Sequence, residues 1–193
     1  MNQLSFLNIF DTGGSFVVKR LIFLPLCLFI IFVLASCGLE DIYSNNDEQQ
    51  TNAVTPLEDL IDTEYFIESA LPHILEGELN RKGQAVGFHY AELPTRKGEI
   101  IEDSETEEDE HGIYEAKVSV SEVEKTSNNG RSTFFPDSWD SQDVVDAINE
   151  AYETKDFISG NTYEGMTEEG IIVRMYLNES DKIISAFPVY EGS

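Results

Sequence analysis

A chain of 193 residues with 37 acidic and 12 basic side chains carries a formal net charge of -25 and has a sequence pI of about 4.1. That length supports one domain with a sizeable core, and so negative a surface repels nucleic acid wherever positive charge is not gathered locally. The two cysteines, Cys27 and Cys37, lie near the start, so the rest of the chain has neither an internal disulfide nor a cysteine-built zinc site.

Lys19 and Arg20 precede the apolar run LIFLPLCLFIIFVLA, Leu21 to Ala35, which is short for a membrane span and suits the core of an export signal. A basic lead-in of ordinary length would begin near Val18, so residues 1–18 read as additional to it. The run ends in Leu34-Ala35-Ser36-Cys37, and small residues before a cysteine resemble the bacterial lipobox. Residues 1–36 are therefore expected to be a lipoprotein-type signal peptide. Cys37 is expected to carry lipid and hold the protein on the extracytoplasmic side of the cell membrane. Residues 37–56 are polar, turn-rich and aperiodic and read as a flexible tether, which leaves 57–193 as the domain.

Leu57, Leu60, Ile61, Tyr65, Ile67 or Glu68, and Leu71 recur at roughly helical spacing and predict a helix over 57–71, ended or kinked by Pro72 just before His73. AVGFHYAEL, 85–93, predicts a strand in which Gly87 leaves room for another group beside His89. Glu99 to Glu110 holds eight acids in twelve residues. Like charges at that density predict a solvated loop, and the run lacks the glycine-bearing ligand spacing of a calcium loop, so no metal site is expected. His111, beside Glu110, reads as solvated too. In GIYEAKVSVSEV, Tyr114, Ala116, Val118 and Val120 alternate with polar residues and predict a half-buried strand. Asn128-Asn129-Gly130 marks a turn and Phe134-Phe135 an apolar pair. Ser138 or Asp140 caps a helix whose buried stripe is Val144, Val145, Ile148, Ala151 and Tyr152. GIIVRMYL and KIISAFPVY flank the turn 178–181 and predict a hairpin. Helix, strands, helix, strands in that order point to a single α+β domain with a mostly antiparallel sheet.

The scarce positive charge is local. Arg81, Lys82, Arg96, Lys97, Lys117, Lys125 and Arg131 fall within about fifty residues, the stretch that also holds His89 and follows His73. This predicts a small positive cleft on an otherwise negative surface, with Arg96 and Lys97 as phosphate-positioning residues.

His73-Ile74-Leu75-x-Gly77, Gly87-x-His89, STFFPxxW (132–139) with the helix after it, and Ile184-Ser185-Ala186-Phe187-Pro188, in that order, together resemble the bacterial EndoU nuclease domain over about residues 65–191. The resemblance implies a fold of the EndoU type. It also implies a ribonuclease, in some members a toxin, that attacks a phosphodiester with the neighbouring 2'-hydroxyl and leaves a 2',3'-cyclic phosphate without a cofactor. That reaction needs a base, an acid and a positive donor for the phosphorane, and histidine titrates near working pH. By resemblance His73 and His89 are the proton-transfer pair, with the division of base and acid left open. Lys125 is preferred over Lys117 as the cation. Ser185 and Phe187, two apart on one strand face, contact the substrate. Where the family carries a tyrosine this chain has Phe187, which can stack on a base but lacks the phenol. The expected partners are single-stranded RNA, the membrane through Cys37 and, for a toxin, an immunity protein; the domain itself is expected to be a monomer. The competing reading is a surface lipoprotein that keeps the fold as a binding module with weakened catalysis.

Overall fold

The structure is a computed structural model and describes residues 54–192. The expected signal peptide, Cys37 and the tether as far as residue 53 lie outside the described residues. Thr55, placed in the tether by its composition, is bound to the domain: its amide and hydroxyl donate to Asp140 at 2.6 and 2.5 Å.

Two halves build the molecule. The larger is a meander of four antiparallel strands, β7 (Asp156–Ser159), β8 (Thr162–Met166), β9 (Ile172–Leu177) and β10 (Ile183–Pro188), paired in sequence order. Its one long helix, α1 (Ser141–Glu153), lays Val144, Val145, Ile148, Ala151 and Tyr152 against the inner face of the sheet, where Val173, Met175, Leu177 and Ala186 point. Asp140 caps α1 by accepting from the Ser141 amide at 2.7 Å, and Asp143 reaches back to the Asp140 amide at 2.8 Å. This reciprocal cap contributes on the order of 1 kcal/mol.

The smaller half centres on β4 (Tyr114–Val120). One edge of β4 carries β3 (Gly98–Ile100), and the other carries β5 (Val123–Glu124) and β6 (Arg131–Phe134). The predicted alternation holds, with Tyr114, Ala116, Val118 and Val120 inward. Their neighbours are Phe88 and Phe134, edge to face at 5.1 Å, and Tyr114 stacked on Phe134 at 5.0 Å. A short two-stranded ribbon, β1 (Glu78–Leu79) with β2 (Ala85–Val86), completes the fold.

Several expectations need correction. The helix over 57–71 does not form: Leu57–Asp59 is one 3-10 turn and Asp62 is left-handed at φ 54. From there the backbone pairs with β10, Ile67 N–H to Ile183 and Ile183 N–H to Tyr65, which satisfies the groups a helix would have paired internally. The strand over 85–93 stops at Val86, because Gly87 (φ 72) and Phe88 (φ 64) are consecutive left-handed residues. The acidic run is not a free loop; Glu99 and Ile100 are in β3, and the amides of Ile101 and Thr106 bond along β4. The hairpin β7–β8 was not anticipated. Its outer strand is exposed throughout, Phe157 at 63% and Ile158 at 50%.

Candidate active site

His73 and His89 come together through backbone. Pro72–Glu76 is a widened π turn, closed from the Gly77 amide to the Pro72 carbonyl at 3.1 Å. The amides of Phe88 and His89 then donate to the carbonyls of His73 (3.1 Å) and Ile74 (2.7 Å). Only glycine permits this approach at position 87, since a Cβ there would lie 2.0 Å from the His73 carbonyl oxygen. The expectation that Gly87 makes room for another group is met, and that group is the other histidine's backbone.

Side chains alternate across the seam between the two halves. Phe88 packs in the smaller core and Tyr90 in the larger, leaving His89 between them; Phe134 and Phe135 divide the same way. His89 is 6% exposed, its Nδ1 lies 2.8 Å from the Thr133 carbonyl, and its ring stacks on Phe187 at 5.1 Å and 19°. A carbonyl only accepts, so the proton sits on Nδ1 and Nε2 keeps its lone pair. Burial and then the nearby Lys125 hold the His89 imidazolium well below its ordinary pKa despite the Thr133 bond, so the ring is neutral. His73 is different. Its Nε2 lies 3.1 Å from the Ser185 hydroxyl and its Nδ1 3.0 Å from the Glu78 carboxylate. Burial lowers its pKa, and Glu78 offsets part of that by favouring the charged ring.

Lys125 is 7% exposed and donates to the Ser132 hydroxyl at 2.7 Å and the Gly87 carbonyl at 3.5 Å. No carboxylate reaches it; among the described residues it makes no ion pair. Burial lowers its pKa to about 8, so at neutral pH it is still mostly charged. An uncompensated buried ammonium is costly to fold and binds an incoming anion strongly. Lys117, the alternative, is exposed.

His73, His89, Lys125, Ser185 and Phe187 are thus one constellation. Arg96 and Lys97 are not in it: both are exposed, Arg96 bonds to the Leu93 carbonyl, and Lys97 is paired with Glu76 at 2.8 Å. Arg81 and Lys82 sit exposed in the β1–β2 turn. His111 stays beside Glu110 at 3.7 Å. A cleft of about 250 Å³ opens at His89 and Phe187, and its cations are Arg131 and Arg174, with Tyr176 beside them. Arg174 and Tyr176 were missed. The detectable signal was the alternation of IVRMYL, which puts both on the face opposite the buried Val173 and Met175.

A second concavity, about 410 Å³, runs along α1 and is lined by Trp139, Asp143, Asp146, Glu150, Glu168 and Glu169, without histidine, lysine or arginine. Among the described residues no three His, Cys, Asp or Glu side chains are grouped as metal ligands, and no helix is long and apolar enough to cross a membrane.

The model of a family described as "Bacterial EndoU nuclease" matches residues 68–190. A protein named "Toxin" from Bacillus cereus is 48% identical over 126 residues, 65% of this chain and 23% of that protein. The chain therefore resembles less than a quarter of that relative's length. No solved structure matches.

Proposed function

The chain belongs to the bacterial EndoU nuclease family, and from that premise we propose that it cleaves RNA by attack of a 2'-hydroxyl on the adjacent phosphate, leaving a 2',3'-cyclic phosphate. His89 is the base: neutral, with Nδ1–H fixed on Thr133, it offers Nε2 to the 2'-hydroxyl. His73 is the acid: Glu78 favours its charged form, which delivers a proton to the departing 5'-oxygen. Lys125 offsets the charge that builds on the phosphorane, Ser185 holds a phosphate or base edge beside His73, and Phe187, one face of which rests on His89, offers its remaining ring surface to a base.

The observation that carries this reading is the buried lysine. A chain with 37 acids places an ammonium beside two histidines and gives it no carboxylate. A fold kept as a binding scaffold has no use for that cost, although the missing phenol at Phe187 favours weakened catalysis. Incubation of a uridine-containing RNA with the full chain, against His89→Ala, decides between the two. Cyclic-phosphate ends with the parent and none with the variant support the nuclease; intact RNA with both leaves the binding module.

The relative's name supports a toxin role, which would bring an immunity protein as partner. Export and lipid attachment at Cys37 rest on the basic pair, apolar run and LASC motif. Labelled palmitate is expected to tag the protein, and equal labelling of Cys37→Ser overturns this part.

A further inference from the structure

Two arginines share the cleft with His89 and have no part in the chemistry above. Arg174 stands opposite Phe187 in the β9–β10 register, and Tyr176 stands opposite Ser185. Directly opposed residues share a sheet face, so all four look toward the histidines. The Tyr176 and Phe187 rings are 6.1 Å apart at 43°. Across the cleft, Arg131 lies two residues from Thr133 on β6 and therefore on the same strand face.

The two guanidinium groups are held in place within the cleft. Arg131 donates to the backbone carbonyls of Ser104 (3.1 Å) and Glu115 (3.2 Å), acceptors that orient the group without cancelling its charge. Arg174 rests on Glu164, its Nε donating at 2.7 Å and an Nη also bonding to the same carboxylate oxygen. An arginine has five N–H donors, so both keep donors for a further acceptor. The Glu115 side chain also lines the cleft and opposes an anion there. In the reading proposed above, the histidines and Lys125 serve the scissile phosphate, and neither arginine is assigned a part there.

We propose that this end of the cleft is a second nucleotide subsite: Arg131 and Arg174 hold the phosphate next to the scissile one, and Tyr176 takes the neighbouring base as a stacking surface. The subsite rests on the reading of His73, His89 and Lys125 as the place where RNA is cut. It makes the substrate a single strand of more than two nucleotides, and it explains how a chain of net charge -25 retains RNA at all.

The test compares a dinucleoside monophosphate with a tetranucleotide carrying the same cleavable step and one further phosphate on each side. For the full chain, kcat/KM is expected to be about tenfold higher for the tetranucleotide, the value of one charge-assisted contact. Arg131→Ala and Arg174→Ala should bring that ratio close to one. The double variant Arg174→Ala/Glu164→Gln should do the same, which shows that the loss is not repulsion from an orphaned carboxylate. Lys125→Met should lower both rates and keep the ratio. A ratio near one in the parent, or one unchanged in the arginine variants, overturns the subsite. If the parent cuts neither substrate, the nuclease reading fails, and binding of the 2'-deoxy versions decides the subsite separately. An affinity that is independent of length, or a length dependence that survives both arginine variants, overturns it.

Discussion

The two halves of the molecule are unequal in a way that bears on the site. The meander half has α1, a reciprocal cap and a continuous apolar core, and it contributes Ser185, Phe187, Arg174 and Tyr176. The β4 half has a small core around Phe88, Tyr114 and Phe134, and it contributes Lys125, Ser132 and Arg131. The smaller core thus bears the costliest charge. The larger core thus backs the residues proposed to hold a substrate, whereas the buried lysine belongs to the half with the smaller core.

The largest effects should fall on the seam. Lys125→Met is expected to lower kcat by about 100- to 1000-fold, as loss of a group that acts on transition-state charge does, while raising the melting temperature, because it removes an uncompensated buried cation. Single-turnover rates and a thermal scan check both, and a lowered melting temperature would break the contrast between the halves. Next come core truncations. Phe134→Ala and Ile148→Ala, one in each half and both fully buried, should each cost about 3 kcal/mol in denaturant titration. Phe134→Ala should also slow cleavage by the folded fraction, since Phe134 packs on Phe88 and follows Thr133, which fixes the His89 ring; equal slowing by Ile148→Ala would remove the distinction.

Acidity gives a mid-sized effect. His73, the acid of the proposed mechanism, loses its proton as pH rises through its lowered pKa, and Lys125 loses its charge through about 8. The kcat/KM profile should therefore peak on the acid side of 6.5 and fall again near 8, and Glu78→Gln should move the first decline to lower pH. For stability the Lys125 sign is opposite to that of a paired group. Its folded pKa lies below its ordinary 10.5, so the unfolded chain binds more protons between about 8 and 10.5 and stability from this group rises with pH across that window. Lys125→Met should flatten that rise. The smallest effect belongs to the acidic groove along α1. Asp146→Asn with Glu150→Gln should change cleavage less than about twofold at 0.15 M salt, where the screening length is about 8 Å.

Legibility followed the range of the interaction. The β4 alternation, the Asp140 cap with its stripe and the β9–β10 hairpin are periodic local patterns, and the structure has them. The residues over 57–71 carry helical spacing, yet their backbone pairs with Ile183 more than a hundred positions on, which no local pattern records. The β7–β8 hairpin also has a local signature: DFIS and TYEGM flank Gly160-Asn161, a two-residue turn. His73, His89, Lys125, Ser185 and Phe187 were readable as residues through the family resemblance. For their neighbours Arg174 and Tyr176 the alternation of IVRMYL marks the strand face, but only the register of β9 on β10 sets them opposite Phe187 and Ser185. Charge clustering along the chain did not place Arg96 and Lys97 in the cleft: Arg96 bonds to the Leu93 carbonyl and Lys97 pairs with Glu76, contacts that clustering in sequence does not record.

The exposed β7 also sets how this protein behaves as a colloid. Among the described residues nothing pairs with the outer edge of β7, where Phe157 and Ile158 are exposed, and such an edge can pair with a second copy. At neutral pH two molecules of net charge -25 repel before those edges meet. As the medium approaches the pI of about 4.1, that repulsion fades while the edge is unchanged. Light scattering should therefore rise sharply on acidification toward that value and fall again when a charge is placed at position 157, as in Phe157→Lys.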